Sequence, residues 1–476
     1  MSSLYCFDLY RMKKTPDSRR TFIKNTGMAS LGFLGLQTFL GTTLASCLPN
    51  KSKSDDRIFK KYGFLVKDKN KILNLPPGFS YKIIARQGTP MSDGFMHPGK
   101  PDGMATFVGQ NGRVILVRNH ELNPGGFGPF GKDDALLAKL DKKHFYDFGE
   151  KGTTCVGGTT TLIFNEQTQE IEKSYLSLVG TVRNCAGGQT PWNTWITCEE
   201  TVVRANSGGY TKNHGYNFEV PATEKIGLVE PIPLKAMGRF NHEAVCVDPK
   251  TGIVYQTEDR GDGLFYRFIP DVPGELVKGG KLQCLVVKDQ KMLDTRNWRK
   301  NTCPINQPME VEWLDLDKVE TPSDTLRMRG HQAGAAQFAR GEGAWFGTNE
   351  LYFACTNGGA SKTGQVFRYV PSPFEGTSRE KEQGGQLELY LEPNDSNLIN
   401  YCDNLTIAPN GDLFLCEDRD HPNIVGVTKQ GDYFRLAENI GFKSEFAGGV
   451  FSPSGKTYFV NIQHAGLTIA IQGPWA

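Results

Sequence analysis

One β-hairpin pattern recurs six times along the chain, and it constrains the fold more than any other feature of the sequence. In each copy an apolar run of period two is closed by a turn, usually containing glycine, and is followed by a second apolar run. The six copies cover residues 102–121, 184–200, 241–260, 342–359, 403–419 and 445–464. Repeated hairpins of this kind predict an all-β fold.

The number and spread of the hairpins predict a six-bladed β-propeller with irregular insertions. Further strand-like segments, such as residues 263–268 and 365–369, supply the additional strands that a propeller blade needs. The 54 glycines, 26 prolines and 11% aromatic residues are typical of a turn-rich β protein. A β-sandwich or two separate β domains remains the alternative, because the spacing between the hairpins is irregular.

The N-terminal region predicts export from the cytoplasm. Residues 18–24 (SRRTFIK) match the twin-arginine pattern, and no charged residue follows between Asn25 and Asn50. Residues 44–47 (LASC) resemble a bacterial lipobox, so cleavage would leave a lipid-modified Cys47; ordinary cleavage nearby is the alternative. We therefore expect a leader at 1–46, a tether at 47–72 and a propeller at 73–476. The protein would be periplasmic or at the cell surface, with the twin-arginine machinery as its transport partner.

The charge balance excludes two classes of partner. The formal net charge is +2, and beyond residue 46 the chain holds 48 basic and 50 acidic residues. A chain this balanced does not predict binding to nucleic acid or to an anionic membrane surface. We expect membrane attachment only through the leader or the lipid.

The cysteines exclude two familiar motifs. Nine of the eleven cysteines follow Cys47, and no two are spaced as C-x-x-C, so a zinc ribbon or a thioredoxin-like motif is excluded. Cys246, Cys355 and Cys416 lie in strand-like runs and are predicted to be buried as small apolar residues.

Acidic residues recur at the two places of each hairpin that lie at one edge of a blade, the start of the first strand and the end of the second. A propeller would gather them around one mouth. The residues are Glu121, Glu199, Glu200, Glu243, Glu258, Asp259, Glu342, Asp403, Asp418 and Glu445. So many carboxylates need counter-charge, and their oxygens suit calcium. The thiolate of Cys185 indicates a transition metal, so we predict a mixed metal site.

Simpler roles remain open for individual residues. Any one acidic residue after a strand can simply cap a turn. His120 and His242, both in Asn-His-Glu, are candidate ligands, but hydrogen bonding to neighbouring backbone is the favoured interpretation.

Several motifs together resemble the PhoX-type alkaline phosphatases. They are the twin-arginine leader, Asn119-His120-Glu121, Asn184-Cys185-Ala-Gly-Gly, Thr190-Pro191-Trp192, Thr197-Cys198-Glu199-Glu200, Gly238-Arg239-Phe240-Asn241-His242-Glu243 and Asn461-Ile-Gln-His464. The resemblance runs from about Leu73 to the C-terminus. It implies a six-bladed propeller that releases phosphate from phosphomonoesters at two ferric and about three calcium ions joined by an oxo bridge.

The resemblance also implies roles for single residues. Cys185 would be the thiolate ligand of iron, while Glu200 (or Glu199), Glu243 and Glu342 would bind iron and calcium. The further metal ligands implied are Asp418, Glu121, Asp259, Asp403 and Asn404. Arg340, in Phe338-Ala-Arg340-Gly-Glu342, is similar to the family's Arg-Pro-Glu and would hold the substrate phosphate. Arg340, Glu342 and Cys185 are thus the implied catalytic residues.

The sequence departs from the family pattern at Gly341, which replaces the proline, and at Arg419 after Asp418. These departures concern the choice of substrate more than the fold. A calcium-dependent propeller hydrolase of another class, such as a phosphodiesterase or lactonase, and a non-catalytic binding propeller remain alternatives.

Overall fold

A computed structural model describes residues 61–150 and 152–475 of the chain. They belong to one unit, residues 52–476. The predicted leader, the lipobox and Cys47 lie outside the described residues. Within those residues the regular structure is almost entirely β, with one short α-helix, α1 (Leu326–Gln332).

Most strands form six antiparallel meanders, which we call blades 1 to 6. Two strands precede them: β1 (Leu73–Asn74) and β2 (Ser80–Arg86). Blade 1 consists of β3 (Pro101–Val108), β4 (Arg113–His120), β5 (Gly157–Asn165) and β6 (Glu170–Thr181). Blade 2 consists of β7 (Asn184–Gln189), β8 (Thr194–Glu199) and β9 (Asn217–Pro221). Blade 3 consists of β10 (His242–Val247), β11 (Val254–Glu258), β12 (Phe265–Pro270) and β13 (Gly280–Val287), and β14 (Met309–Asp315) follows it.

The remaining strands form the C-terminal blades. Blade 4 consists of β15 (Gly341–Phe346), β16 (Leu351–Cys355), β17 (Gln365–Val370) and β18 (Gln386–Leu391). Blade 5 consists of β19 (Cys402–Ile407), β20 (Leu413–Glu417), β21 (Asn423–Val427) and β22 (Tyr433–Asn439). Blade 6 consists of β23 (Phe446–Phe451), β24 (Thr457–Ile462) and β25 (Leu467–Gln472).

The first strands of the six blades close into a ring. Strands β3, β7, β10, β15, β19 and β23 contact one another in that order, and β23 contacts β3. The N-terminal strands fasten the ring, because β2 pairs with β25 in blade 6 and β1 pairs with β22 in blade 5. The predicted all-β propeller class is therefore confirmed.

The count of hydrogen-bonded sheets differs from the six predicted blades, because the described strands form five sheets. Strand β14 pairs with β13 of blade 3 and with β18 of blade 4, which joins the two blades into a nine-stranded sheet. Both blades would otherwise present an unpaired outer edge, and β14 covers both edges. Blade 2 has only three strands.

Apolar side chains pack between the faces of neighbouring blades. The largest cluster joins blades 2, 3 and 4 and includes Ala186, Tyr255, Phe265, Phe353 and Phe367. The rings of Phe265 and Phe353 stack with their centroids 4.2 Å apart. Because both faces of a blade are buried in this way, its strands are largely apolar on both sides. The polar residues inside the strands, such as Arg118 and Arg267, are themselves buried and hydrogen-bonded.

The folded body begins before Leu73. The ring of Tyr62 packs edge-on against Phe79 at 5.0 Å and against Trp475 at 6.3 Å, and Lys61 forms an ion pair with Asp412. Residues 61–72 of the predicted tether are thus among the described residues, and Tyr62 joins an aromatic cluster of the folded body.

Two observations complete the fold. All nine cysteines of the described chain are buried and none of them forms a disulfide, which confirms the predicted burial of Cys246, Cys355 and Cys416. Among the described residues there is no helix of the length and hydropathy that spanning a membrane would require.

Candidate metal centre

Each first strand carries a β-bulge near its start, at the same position in all six blades. The register shifts fall between Pro101 and Met104, Asn184 and Gly187, His242 and Val245, Gly341 and Ala344, Cys402 and Leu405, and Ala447 and Val450. A bulge leaves residues unpaired and re-aims their side chains. In blades 1 to 5 the first unpaired residue is of a metal-ligand type. These residues, which we call the inner ring, are Asp102, Cys185, Glu243, Glu342 and Asp403.

In blades 1 to 4 the residue after the inner-ring member is a glycine or an alanine, because neighbouring first strands approach each other there. A Cβ atom on Gly103 would lie 2.6 Å from Cα of Ala186, and one on Gly343 would lie 2.7 Å from Cα of Asn404. Real Cβ atoms essentially never come so close to backbone. The glycines therefore allow the blades to bring their inner-ring side chains together.

A second set of polar side chains follows the second strand of each blade. We call it the outer ring; its members are Glu121, Glu200, Asp259, Thr356, Asp418 and Gln463. Each stands one residue beyond the last residue of β4, β8, β11, β16, β20 or β24, opposite the bulge of its own blade. The rings touch: Nε2 of Gln463 donates to Oδ2 of Asp102 at 2.7 Å and to Oε2 of Glu121 at 3.0 Å.

The acidic doublets at the strand ends divide between two environments. The carboxylate of Glu199 is fully buried and accepts hydrogen bonds from Val182 N (2.9 Å), His214 Nδ1 (2.6 Å) and Gly215 N (2.8 Å). Successive side chains on a strand point to opposite faces, so Glu199 faces the blade interior and Glu200 faces the mouth. The structure does not bring Glu199 to the rings, which corrects its prediction as a ligand. Glu258 and Glu417 are likewise buried within their blades.

Three carboxylates of the inner ring form a compact group of potential ligands. Carboxylate oxygens of Glu243, Glu342 and Asp403 lie within 4.8 Å of one another. Beside them the thiol of Cys185 donates to the carbonyl of His242, with Sγ 3.4 Å from the oxygen. The predicted thiol and three of the predicted carboxylates are therefore brought together.

Burial and mutual repulsion raise the pKa values of the inner-ring residues and of Glu200. Burial is the largest cause for Glu243, Glu342, Asp403 and Cys185, and neighbouring carboxylates raise these pKa values further. The same causes raise the pKa of Asp102 to about 7. The pKa of Glu200 rises to about 8, although Arg183 opposes the shift. The protein alone thus supplies too little positive charge to keep the inner ring and Glu200 ionised.

Three cationic side chains lie among the rings. Arg340 forms a bidentate ion pair with Asp259, Nε–Oδ1 2.7 Å and Nη2–Oδ2 2.8 Å, and Nη2 also lies 3.0 Å from Oε1 of Glu342. Arg183 Nη2 contacts Glu200 and lies 3.1 Å from Oε1 of Glu121, and Lys100 Nζ lies 3.7 Å from that residue's Oε2. The carboxylates still outnumber the cations, and the donor set of oxygens with one thiol fits hard cations together with a metal that accepts sulfur.

The other predicted residues lie at the edges of this group. Asn404 joins blades 5 and 6: its Oδ1 accepts a hydrogen bond from Gly448 N, and its Nδ2 donates to Oδ1 of Asp403 at 3.2 Å. Asp418 is half-buried, and its side chain is hydrogen-bonded to Glu445. Asp259, as described, is held by Arg340.

Three residues of the rings, Asp102, Thr356 and Gln463, are not among the predicted ligands. Asp102 could have been found from its position, because it stands at the start of the first strand of its hairpin, as Cys185 and Glu243 do in theirs. Gln463 could be found only by aligning the ends of the second strands.

His120 and His242 lie at hydrogen-bonding distance from backbone carbonyls, which is the interpretation favoured from the sequence. Nδ1 of His120 lies 2.8 Å from the carbonyl of Gly99, and Nε2 of His242 lies 3.0 Å from the carbonyl of Gly238. Burial lowers the pKa of His242 to about 3, so this histidine is neutral.

A second buried group, Asp147, Cys155 and His214, also has metal-ligand residue types. Asp147 Oδ2 already accepts from Thr211 N (2.8 Å) and lies 3.2 Å from His214 Nε2, while Nδ1 of His214 is bound to Glu199. The protein itself satisfies these groups, so we interpret them as a structural ion-pair network.

The sequence matches the family described as alkaline phosphatase PhoX over residues 60–169 and 159–466. The chain belongs to the PhoX alkaline phosphatase family. Membership confirms the predicted function: the protein is a metal-dependent phosphatase, a phosphoric monoester hydrolase. A search of the curated proteins found no match.

One solved structure agrees with this assignment at the level of the fold. PhoX of Pseudomonas fluorescens in complex with vanadate, a transition-state analogue, superimposes with a TM-score of 0.60 at 16% identity, over 85% of this chain and 96% of that chain. A gluconolactonase from Xanthomonas campestris gives a TM-score of 0.35 at 10% identity, over 84% of this chain and 98% of that chain.

Proposed function

We propose that the two rings bind a cluster of ferric and calcium ions, two and about three respectively, and that this cluster hydrolyses phosphomonoesters. The observation that supports the proposal best is the bulge repeated in blades 1 to 5, which places a ligand-type residue at the same position of each first strand, with ligand atoms of three of them within 4.8 Å of one another. A purely structural role would not require the same acidic position in successive blades.

The donor types suggest where each metal binds. Cys185 offers the only thiol among the ring residues, with Glu243 and Glu200 as charged neighbours, so iron would bind on this side. Glu243 and Glu342 lie between Cys185 and Asp403 and could bridge ions. Calcium would take the all-oxygen side, which consists of Asp102, Glu121, Asp403, Asp418 and Glu445.

The bound ions would neutralise the carboxylates, activate a water molecule and stabilise negative charge on the phosphoryl oxygens. The protein's own contribution begins with Arg340. Asp259 and Glu342 hold its guanidinium through Nε and Nη2, which leaves Nη1 with no hydrogen-bond partner among the described residues. A guanidinium held in this way presents a fixed donor to a phosphate oxygen and loses little conformational entropy on binding.

The remaining assignments concern location. We propose that the twin-arginine machinery exports the folded protein and that Cys47 carries a lipid anchor. The substrates would then be organic phosphate esters outside the cytoplasm, and phosphate would be released there for uptake.

The proposed function is tested with chromogenic substrates. We expect hydrolysis of a phosphate monoester, loss of that activity after chelation, and recovery only when iron and calcium are returned together. Recovery with calcium alone, or a preference for a diester or a lactone, would favour the alternative hydrolase classes.

A further inference from the structure

Arg183 and Arg340 occupy equivalent positions in blades 2 and 4. Each stands two residues before an inner-ring residue, Cys185 or Glu342, and each has a left-handed backbone, with φ of 51° and 54°. Lys100 and Tyr401, which stand two residues before Asp102 and Asp403, share this backbone, with φ of 42° and 58°, so it belongs to the entry of the bulge in four blades. In blades 2 and 4 the residue that this backbone holds beside the outer ring is an arginine.

The backbone hydrogen bonds of the two arginines also correspond. The N–H of Arg183 donates to the carbonyl of Leu122, which follows outer-ring Glu121; that of Arg340 donates to Arg260, which follows outer-ring Asp259. Both bonds are 3.0 Å long. The carbonyl of each arginine then accepts from the outer-ring residue of its own blade, Glu200 at 2.9 Å or Thr356 at 3.0 Å.

The side chains are held in a similar way. Nε of Arg183 donates to the carbonyl of Glu200 at 3.0 Å, and its Nη2 contacts the carboxylates of Glu200 and Glu121. Its Nη1 has no hydrogen-bond partner in the described part of the chain, as in Arg340. The side chains of Arg183 and Arg340 are 34% and 33% exposed, so both remain accessible from the mouth.

The two arginines flank one pair of carboxylates. Arg183 binds Glu200, Arg340 binds Asp259, and the charge of Asp259 acts directly on Glu200. Two guanidinium groups therefore stand on either side of the same part of the rings. A phosphate monoester carries two negative charges and three terminal oxygens, so it can accept from both groups at once; a diester carries one charge and two terminal oxygens.

We propose that Arg183 is a second substrate-binding residue, which contacts the phosphoryl group from the side opposite Arg340. This inference rests on the proposed function. The two arginines together would favour the doubly charged phosphate monoester over a singly charged diester. Arg183 also neutralises Glu121 and Glu200, and the experiment must separate these two roles.

The experiment measures the dissociation constant of inorganic phosphate by calorimetry on the metal-loaded protein, together with metal content and monoester kinetics. The variants are Arg183→Gln and Arg183→Lys. The control is Arg113→Gln, since Arg113 is 29% exposed and paired with Glu172 at the opposite end of blade 1. Arg183→Gln should weaken phosphate binding about 10-fold or more, the worth of a hydrogen bond to a charged group, with unchanged metal content. Arg183→Lys should lie between wild type and Arg183→Gln, and Arg113→Gln should match wild type.

Unchanged phosphate affinity in Arg183→Gln would overturn the inference, and so would a loss of affinity that is accompanied by loss of metal. If Arg183→Gln does not fold, Arg183→Lys decides: wild-type phosphate affinity in that folded variant overturns the inference. A wild-type protein that binds no metal and hydrolyses no monoester would instead contradict the proposed function itself.

Discussion

Glu199 and Glu200 are consecutive residues whose carboxylates lie in different environments. Glu199 is buried inside blade 2, where it binds His214 Nδ1 at 2.6 Å, whereas Glu200 stands at the mouth beside Arg183. Strand alternation separates them, so one sequence doublet supplies both a structural ion pair and a candidate metal ligand.

The doublet gives a matched pair of variants. Glu199→Gln should lower the free energy of unfolding by about 3 to 5 kcal/mol, because it leaves the buried His214 with one counter-charge fewer. Glu200→Gln should leave the stability of the metal-free protein nearly unchanged and lower its metal content and phosphatase activity. Urea unfolding and elemental analysis of both proteins check this prediction. Equal effects of the two variants on both measurements would contradict the division of roles.

The thiol of Cys185 should be required for iron. We expect Cys185→Ala to lose the visible absorbance of bound iron and most of the monoesterase activity. Cys246→Ala is the control, because Cys246 is as buried as Cys185, at 4% exposure. It lies in β10, the neighbouring first strand, three residues after the inner-ring residue Glu243. Full absorbance in the Cys185 variant would remove this residue from the metal site.

The ion pairs of His214 predict a dependence of stability on pH. Burial alone would lower the pKa of His214, but the charge of Glu199 and the hydrogen bond to Asp147 raise it to about 12. A folded-state pKa above the unfolded value of about 6.5 means that the charged histidine stabilises the fold fully below about pH 6.5. This contribution is lost as the pH rises from about 6.5 towards 12.

The measurement compares wild type with His214→Gln. The difference in their free energies of unfolding should be largest near pH 6 and should shrink by at most about 1.4 kcal/mol for each pH unit above 6.5. A difference that stays constant between pH 6 and pH 9 would show that His214 is not charged in the folded protein.

The glycine of the blade 4 bulge should be required for the site. A Cβ atom at Gly343 would lie 2.7 Å from Cα of Asn404, so Gly343→Ala forces blades 4 and 5 apart and displaces Glu342. We expect a loss of about 1 to 3 kcal/mol of stability together with lower metal content. Gly227→Ala, where no atom lies within 4 Å of the new Cβ, should change neither quantity.

The arrangement of the site was largely predictable from the hairpin repeat. Cys185, Glu243, Glu342 and Asp403 stand at one register, and any closed ring of hairpins brings that register to one mouth. Successive side chains on a strand point to opposite faces, so only one of Glu199 and Glu200 can face the mouth. The family resemblance alone did not decide which of the two is the metal ligand.

Other features could not be read from the sequence. The left-handed backbone at Arg183 and Arg340 has no residue signature, since neither position is a glycine. The pairing of β14 with two blades depends on where a long insertion returns, which is a tertiary property. Asp102 lacked an acidic neighbour and was therefore not distinguished from an ordinary turn residue.

Elemental analysis of the purified protein tests the central claim most directly, with wild type compared with Glu342→Gln. The account predicts iron and calcium bound together in wild type, and a marked loss of both when the carboxylate shared by Arg340 and the inner ring becomes an amide. Identical metal content in the two proteins, or a wild type that holds neither iron nor calcium, would contradict it.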